Sequence, residues 1–332
     1  MKKVILDVLG GDNAPQATID GAMMALDRDP DLNLILVGDE KLIPAHPRIE
    51  VIHTTTNIEM NESPTNAIMT KKDSSIVLGM EALRKRDDTA AFVSAGSTGA
   101  VLTGAFMKVG RIPGISRPAL CAQLMTVDKK GVLVLDLGAN MDCKSENLVH
   151  FAIMADIYMK ERGVKSPRIA LLNVGTEDEK GNELTKETFK ALSALKDSPV
   201  YKFNFVGNME ARDTFSGKYD IVVTDGFAGN VLLKTLEGTG RLFSHELKKA
   251  MRGFPAVIGK IILAPKLLKM KKTLSEDATG GAIFLGIKKP VIKAHGNSNP
   301  TALCNAILLG ARTANMNLSE QLEQKIKLLS NQ

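Results

Sequence analysis

Val4-Ile5-Leu6-Asp7-Val8-Leu9-Gly10-Gly11-Asp12-Asn13-Ala14-Pro15 (residues 4–15) passes from an apolar, strand-like run into a glycine pair, two short polar residues and a proline. The apolar part lacks the alternation of a half-solvated strand, so it reads as a strand covered on both faces. Pro15 suits a first helical turn, and Asp12 or Asn13 can cap it. The stretch therefore reads as a strand, a tight turn and a helix. Three others share its form: Phe92-Val93-Ser94-Ala95-Gly96-Ser97-Thr98-Gly99-Ala100, Val134-Leu135-Asp136-Leu137-Gly138-Ala139-Asn140 and Val222-Val223-Thr224-Asp225-Gly226-Phe227-Ala228-Gly229-Asn230. Four such turns suggest a sheet edge built to surround an anion. Glycine lets backbone N–H groups approach closely, and a helix N-terminus adds partial positive charge. The usual nucleotide fingerprints, G-x-G-x-x-G and G-x-x-x-x-G-K-[ST], are absent.

Outward from these turns, strand patterns fall at 3–9, 33–37, 49–53, 91–94, 119–126, 131–136, 168–173, 201–206, 219–224 and 291–294. Helical patterns lie near 16–28, 73–86, 98–108, 144–162, 183–196, 226–251 and 300–314. The alternation predicts an α/β fold, an αβα sandwich with a largely parallel sheet and helices on both faces. The pair 119–126 and 131–136 reads as a β-hairpin, an antiparallel excursion in that sheet. With no linker-like composition and no internal repeat, residues 1–332 read as one catalytic domain. Segment 252–274 breaks the rhythm. It is apolar, carries Arg252, Lys260, Lys266, Lys269, Lys271 and Lys272 without an acid, and is cut by Pro255 and Pro265. It reads as a hairpin-like element on an anionic membrane surface, or else as a core or dimer helix with a basic rim.

Hydrophobic residues make up 44% of the chain, enough for a sizeable core, and aromatics only 4%. The core must then be mostly aliphatic. A net charge of +6 favours acidic proteins, phosphorylated ligands or anionic lipid. No basic stripe interleaved with aromatics points to nucleic acid. Cys121, Cys143 and Cys304 have neither metal spacing nor an even count, which fits a reducing cytoplasm. The chain opens on a strand pattern rather than a signal peptide, and no apolar run reaches the roughly 20 residues of a membrane span.

The site candidates follow from the turns. Gly10, Gly11, Asp12 and Asn13 form either a plain helix cap or an anion loop. Gly96 and Gly99 flank the hydroxyls of Ser97 and Thr98, which suits a capped helix or a dianion. Asp136 and Asn140 brace neighbouring loops or touch ligand. Glu177, Asp178 and Glu179 suit a solvated loop better than a metal site. At Asp225 and Gly226 the reading is a cap, with Asn230 as a neutral donor for a carbonyl oxygen. The strongest segment is 288–300. Lys293 and His295 alternate along a strand and so face one side, and Gly296, Ser298 and Asn299 then open a helix at Pro300. A cation, an imidazole and a hydroxyl at a helix start suit phosphate chemistry. Cys304, in that helix, reads as structural rather than as an acyl carrier, having no His or Asn partner at a known spacing.

These segments, together with Leu171-Leu172-Asn173-Val174-Gly175-Thr176-Glu177 and Phe205-Val206-Gly207-Asn208-Met209-Glu210-Ala211-Arg212-Asp213, resemble the bacterial phosphate acyltransferase family of phospholipid synthesis over nearly the whole chain. The chain departs from the usual family residues at Val8–Leu9 (Ala-Met), Ser97 (Asn) and Asn297 (Ser). The resemblance implies a fold like that of phosphotransacetylases and, more distantly, isocitrate and isopropylmalate dehydrogenases, and a homodimer. It implies transfer of a fatty acyl group from acyl carrier protein to inorganic phosphate. The acyl phosphate then passes to a membrane glycerol-phosphate acyltransferase. By motif order, stretches 291–299 and 224–230 correspond to those that surround phosphate and thioester in phosphotransacetylases.

Phosphate is already nucleophilic at neutral pH, so such an enzyme must place it, orient the thioester and stabilise the oxyanion. Lys293 and His295, with N–H groups at 10–13 and 96–99, are expected to bind phosphate. Asn230 or a glycine-loop N–H is expected at the oxyanion, and His295 as proton donor to the thiol. Neither metal nor redox cofactor is required. Two rivals stand beside this reading: a dehydrogenase on a related fold, and a non-catalytic scaffold on the membrane surface.

Overall fold

In the computed structural model, which describes residues 2–196, 198, 201–251, 259, 263–267 and 280–330, the opening strand β1 (Lys3–Asp7) is buried along nearly its whole length. It sits between β2 (Leu34–Gly38) and β4 (Thr89–Ser94), parallel to both. This is what a continuous aliphatic run requires, because each face needs a helical cover. β3 (Ile49–His53) closes that side. The rest of the sheet comprises β5 (Ala119–Leu124), β6 (Val132–Leu135), β7 (Ile169–Asn173), β8 (Phe205–Glu210), β9 (Ile221–Val223), β10 (Ala282–Leu285) and β11 (Val291–Lys293). The order is β3-β2-β1-β4-β11-β10-β5-β6-β9-β7-β8.

The sheet is two parallel halves joined by an antiparallel seam. β11 lies parallel to β4, β10 opposes both β11 and β5, and β5 opposes β6. The expected hairpin is therefore present, and it stands mid-sheet. Past the seam, β6, β9, β7 and β8 run parallel to one another. Their direction is opposite to that of β1, β4 and β11.

Helices cover both faces. Against one face lie buried residues of α1 (Gln16–Arg28), α5 (Ser145–Glu161), α6 (Glu183–Lys196), α8 (Pro300–Ala314) and α9 (Leu318–Ser330). Against the other lie residues of α2 (Pro64–Thr70), α3 (Ser75–Lys85) and α4 (Thr98–Gly104), the last running on through a π-turn at Ala105–Val109. The long α7 (Gly226–Ala250) contributes Leu232 and Leu233 to this second face.

Several sequence expectations need correction. The strand expected at 201–206 is Phe205–Glu210, because Tyr201 and Phe203 are buried as core plugs ahead of the strand. β10, α2 and α9 were not expected. β10 is four residues between glycine turns, and α2 has too few apolar positions to show a helical period. The α1 cap also differs. Pro15 takes the N-cap position without a side-chain bond, and the Asn13 amide instead donates to the carbonyls of Asn297 and Ser298 (3.1 and 3.3 Å). Of segment 252–274, only residues 259 and 263–267 are described, the latter helical.

Candidate active site

The C-terminal ends of β1, β4 and β11 are neighbours in the sheet, so the three loops that follow them must meet. Asp7, wholly buried at the end of β1, fastens two of them. Its carboxylate accepts from the N–H groups of Leu9 and Gly10 (both 3.1 Å) and from the Ser94 hydroxyl of β4 (2.6 Å). Ser94 Oγ in turn accepts from Gly96 N–H at 3.0 Å. The third loop joins through Asp12 N–H, which donates to the Gly296 carbonyl at 2.7 Å. Gly11 makes this contact possible. Its φ is +107°, and a Cβ there would lie 3.0 Å from that carbonyl and 2.9 Å from Ala95 Cβ.

Lys293 ends β11 inside this ring. Its side chain is 7% exposed, and its ammonium donates to the carbonyls of Ala294 and Ala95. Burial pushes its pKa down to about 8. The nearby charges of Asp7 and Asp12 oppose that shift, and Lys234 adds to it. Burial pushes Asp7 up, against the hydrogen bonds it accepts. His295 stands exposed at the rim, Ser298 is buried behind it, and Asn299 caps α8 by accepting from Ala302 N–H at 3.0 Å.

A second cluster gathers past the seam. Asp136 is buried and accepts from the N–H groups of Leu120 (3.0 Å), Ala139 (3.0 Å) and Asn140 (2.7 Å), and from the Asn140 amide (2.8 Å). It braces loops, one of the two readings the sequence left open. Gly226 N–H donates to the Asn140 carbonyl (2.8 Å), Asp225 caps α7 through Ala228 N–H (2.8 Å), and Asn230 lies against Gly138.

The structure thus brings together Gly10, Gly11, Asp12, Asn13, Gly96, Lys293, His295, Gly296 and Ser298. Ser97, Thr98 and Gly99 continue from Gly96 into α4, with Thr98 exposed. Asp225, Gly226 and Asn230 are not in this group. Among the described residues no hydrogen bond joins them to it. The connection is α7 itself, which climbs from Asp225 and carries Lys234 and Glu237 to His295, with Glu237 Oε1 3.8 Å from His295 Nε2. At about 1.5 Å per residue this is a rise of about 16 Å from Gly226. Sequence reading missed Asp7, Ser94, Lys234 and Glu237. The two α7 residues look like ordinary i,i+3 surface partners, and only the fold shows Glu237 to be buried.

Cys121, Cys143 and Cys304 are free thiols, each with its pKa raised chiefly by burial, Cys143 to about 11. None is an activated nucleophile. Among the described residues no group of three or more His, Cys, Asp or Glu is placed to hold a metal ion.

A family model described as "Fatty acid synthesis protein" matches residues 2–321. The chain is 44% identical to the phosphate acyltransferase of Halalkalibacterium halodurans, covering 98% of this chain and 96% of that one. It is 44% identical to the phosphate acyltransferase of Bacillus subtilis, covering 98% of each. Among solved structures it is similar to a phosphotransacetylase from Streptococcus pyogenes (TM-score 0.61, 16% identity, 95% and 94% covered). A branched-chain phosphotransacylase from Enterococcus faecalis gives a TM-score of 0.62 at 14% identity, with 94% and 99% covered. A 4-hydroxythreonine-4-phosphate dehydrogenase from Klebsiella pneumoniae gives 0.53 at 14%, with 95% and 100% covered. At these identities the structural likenesses establish the fold alone.

Proposed function

The chain belongs to the fatty acid synthesis protein family, and from that premise we infer that it is a phosphate acyltransferase moving a fatty acyl group from acyl carrier protein to inorganic phosphate, for phospholipid synthesis. The observation that carries the reading at the level of the site is the meeting of three loops around a buried lysine at one sheet edge.

In this reading phosphate sits against loops 10–13 and 96–99, with Lys293 and His295 as its cationic partners and Gly296 and Ser298 shaping the third wall. One phosphate oxygen attacks the thioester carbonyl. The new C–O bond forms, the C–S bond breaks, and the carrier's thiolate leaves. His295, in its protonated form, stands at the solvent side and donates the proton that makes the leaving group a thiol. N–H groups of Ser97–Gly99 are the proposed oxyanion donors. Asp225, Gly226 and Asn230 set the start of α7, and through it the position of Lys234 and Glu237. Lys293 loses charge as pH rises through about 8, so its grip on phosphate weakens there. Bound phosphate holds the proton on.

We propose further that the enzyme is a homodimer working in the cytoplasm at an anionic membrane surface, beside a glycerol-phosphate acyltransferase. Phe227, Val231, Leu242 and Phe243 lie exposed along α7, an apolar face suited to a second copy. Apolar and basic segment 252–274 suits lipid, and Leu263, within its described part, is exposed. No helix among the described residues is long and apolar enough to cross a membrane. The acyl carrier's acidic surface suits a chain of net charge +6.

The test is loss of acyl-carrier thioester with and without phosphate, with acyl phosphate trapped as hydroxamate by hydroxylamine. Turnover that depends on phosphate and yields hydroxamate is expected. Thioester loss at the same rate without phosphate would make the protein a thioesterase instead.

A further inference from the structure

Glu237 is the one charged residue of α7 that the fold buries. Its side chain is 5% exposed, on a helix whose other buried positions are Gly226 and Gly229. The carboxylate does not face the core. Its oxygens accept from Lys234 Nζ at 2.9 and 2.8 Å and from Arg241 at 3.4 Å, and Oε1 stands 3.8 Å from His295 Nε2. A surface ion pair between α7 neighbours would not need burial, and at an exposed site it would add little. Of the described residues outside α7, it is His295, on the loop after β11, that comes within ion-pair distance of Glu237.

We propose that Glu237 is a positioning residue for the acyl transfer: it holds the His295 ring, and with it Lys234, at the mouth of the phosphate site. The inference rests on the acyl-transfer reading above. Its chemistry is simple. A carboxylate 3.8 Å from Nε2 aims the ring, leaving the Nδ1 side for the departing sulfur. The same carboxylate keeps Lys234 folded back on its own helix. Among the described residues Glu237 is the acid within 4 Å of the His295 ring, and Lys234, its partner on α7, lies close enough to act on the charge of Lys293.

The experiment measures kcat and KM for phosphate-dependent thioester loss in wild type, Glu237→Gln, Glu237→Asp and His295→Gln. A ring that is no longer aimed costs transition-state contact more than ground-state binding, so Glu237→Gln lowers kcat about tenfold and leaves KM within about threefold. Glu237→Asp restores most of kcat. In the His295→Gln background, adding Glu237→Gln costs less than threefold, because the residue it serves is gone. A wild-type kcat in Glu237→Gln overturns the proposal, as does an undiminished loss in the His295→Gln background. A Glu237→Gln protein too unstable to assay leaves the decision to Glu237→Asp: a kcat near wild type supports positioning, and a kcat as low as that of His295→Gln overturns it. If wild type itself makes no acyl phosphate, it is the acyl-transfer reading that fails.

Discussion

Lys293 carries the sharpest residue-scale predictions because its burial and its task conflict. Lys293→Ala should lower turnover about 30- to 1000-fold with the fold intact, since a charged contact made to the transition state is worth about 2–4 kcal/mol. Steady-state kinetics beside a circular-dichroism spectrum would show it. Near wild-type turnover would remove Lys293 from the site. The same lysine should cost stability. Its folded pKa of about 8 is below the ordinary 10.5, so between those values the unfolded chain binds one more proton, and stability rises with pH. Below pH 8 the full cost is present, about 3 kcal/mol. Lys293→Met should therefore unfold at higher denaturant than wild type at pH 7, with the gap closing as pH approaches 10. A gap independent of pH would mean that the lysine's charge is not what the fold resists. Cys304, wholly buried in α8, should be silent in catalysis as Cys304→Ala. A trapped acyl-enzyme there would replace direct attack by phosphate.

At the scale of elements, α7 is set by glycines. A side chain at Gly229 would drive its Cβ into the Asp136 carbonyl, a backbone atom that cannot swing away. Gly229→Ala should cost about 1–3 kcal/mol in urea unfolding and lower activity by displacing Glu237 from His295. Unchanged stability would mean that α7 is not seated on the 136–140 loop. For segment 252–274, a Leu263→Glu, Leu267→Glu double variant should stay in the supernatant when anionic vesicles pull down wild type. Equal sedimentation of the two would remove the segment as the anchor. How much of this could be read from sequence follows element size and periodicity. β1, β4 and β6 are aliphatic runs ended by glycine turns, and they stand where the sequence put them. β10 and α2 are too short to carry a period. Phe205–Glu210 was misplaced because Tyr201 and Phe203 imitate strand alternation while plugging the core. Within the candidate site, alternation beside a glycine turn pointed to Lys293 and His295, but the strand ends at Lys293, so His295 leaves it for the loop and stands exposed instead of sharing one strand face with the buried lysine. Glu237 could not be picked out, because i,i+3 and i,i+4 cations flank surface glutamates just as they flank this one.

Over the whole molecule, the antiparallel seam decides what meets what. It keeps the loops after β1, β4 and β11 together at one edge and reverses β6 and β9, so the Asp225–Asn230 turn starts elsewhere and, among the described residues, reaches the candidate site through the length of α7. Changes at Asp225 should accordingly act at a distance. Asp225→Ala loses a cap worth about 1 kcal/mol and should reduce turnover far less than Lys293→Ala. The account stands or falls on phosphate being held at the β1, β4 and β11 edge, and calorimetric titration of inorganic phosphate into the protein without acyl carrier tests that most directly. Wild type should show saturable binding, one phosphate per chain, weakening above about pH 8, and Lys293→Ala should bind at least tenfold more weakly. Equal affinity in the two proteins would contradict it.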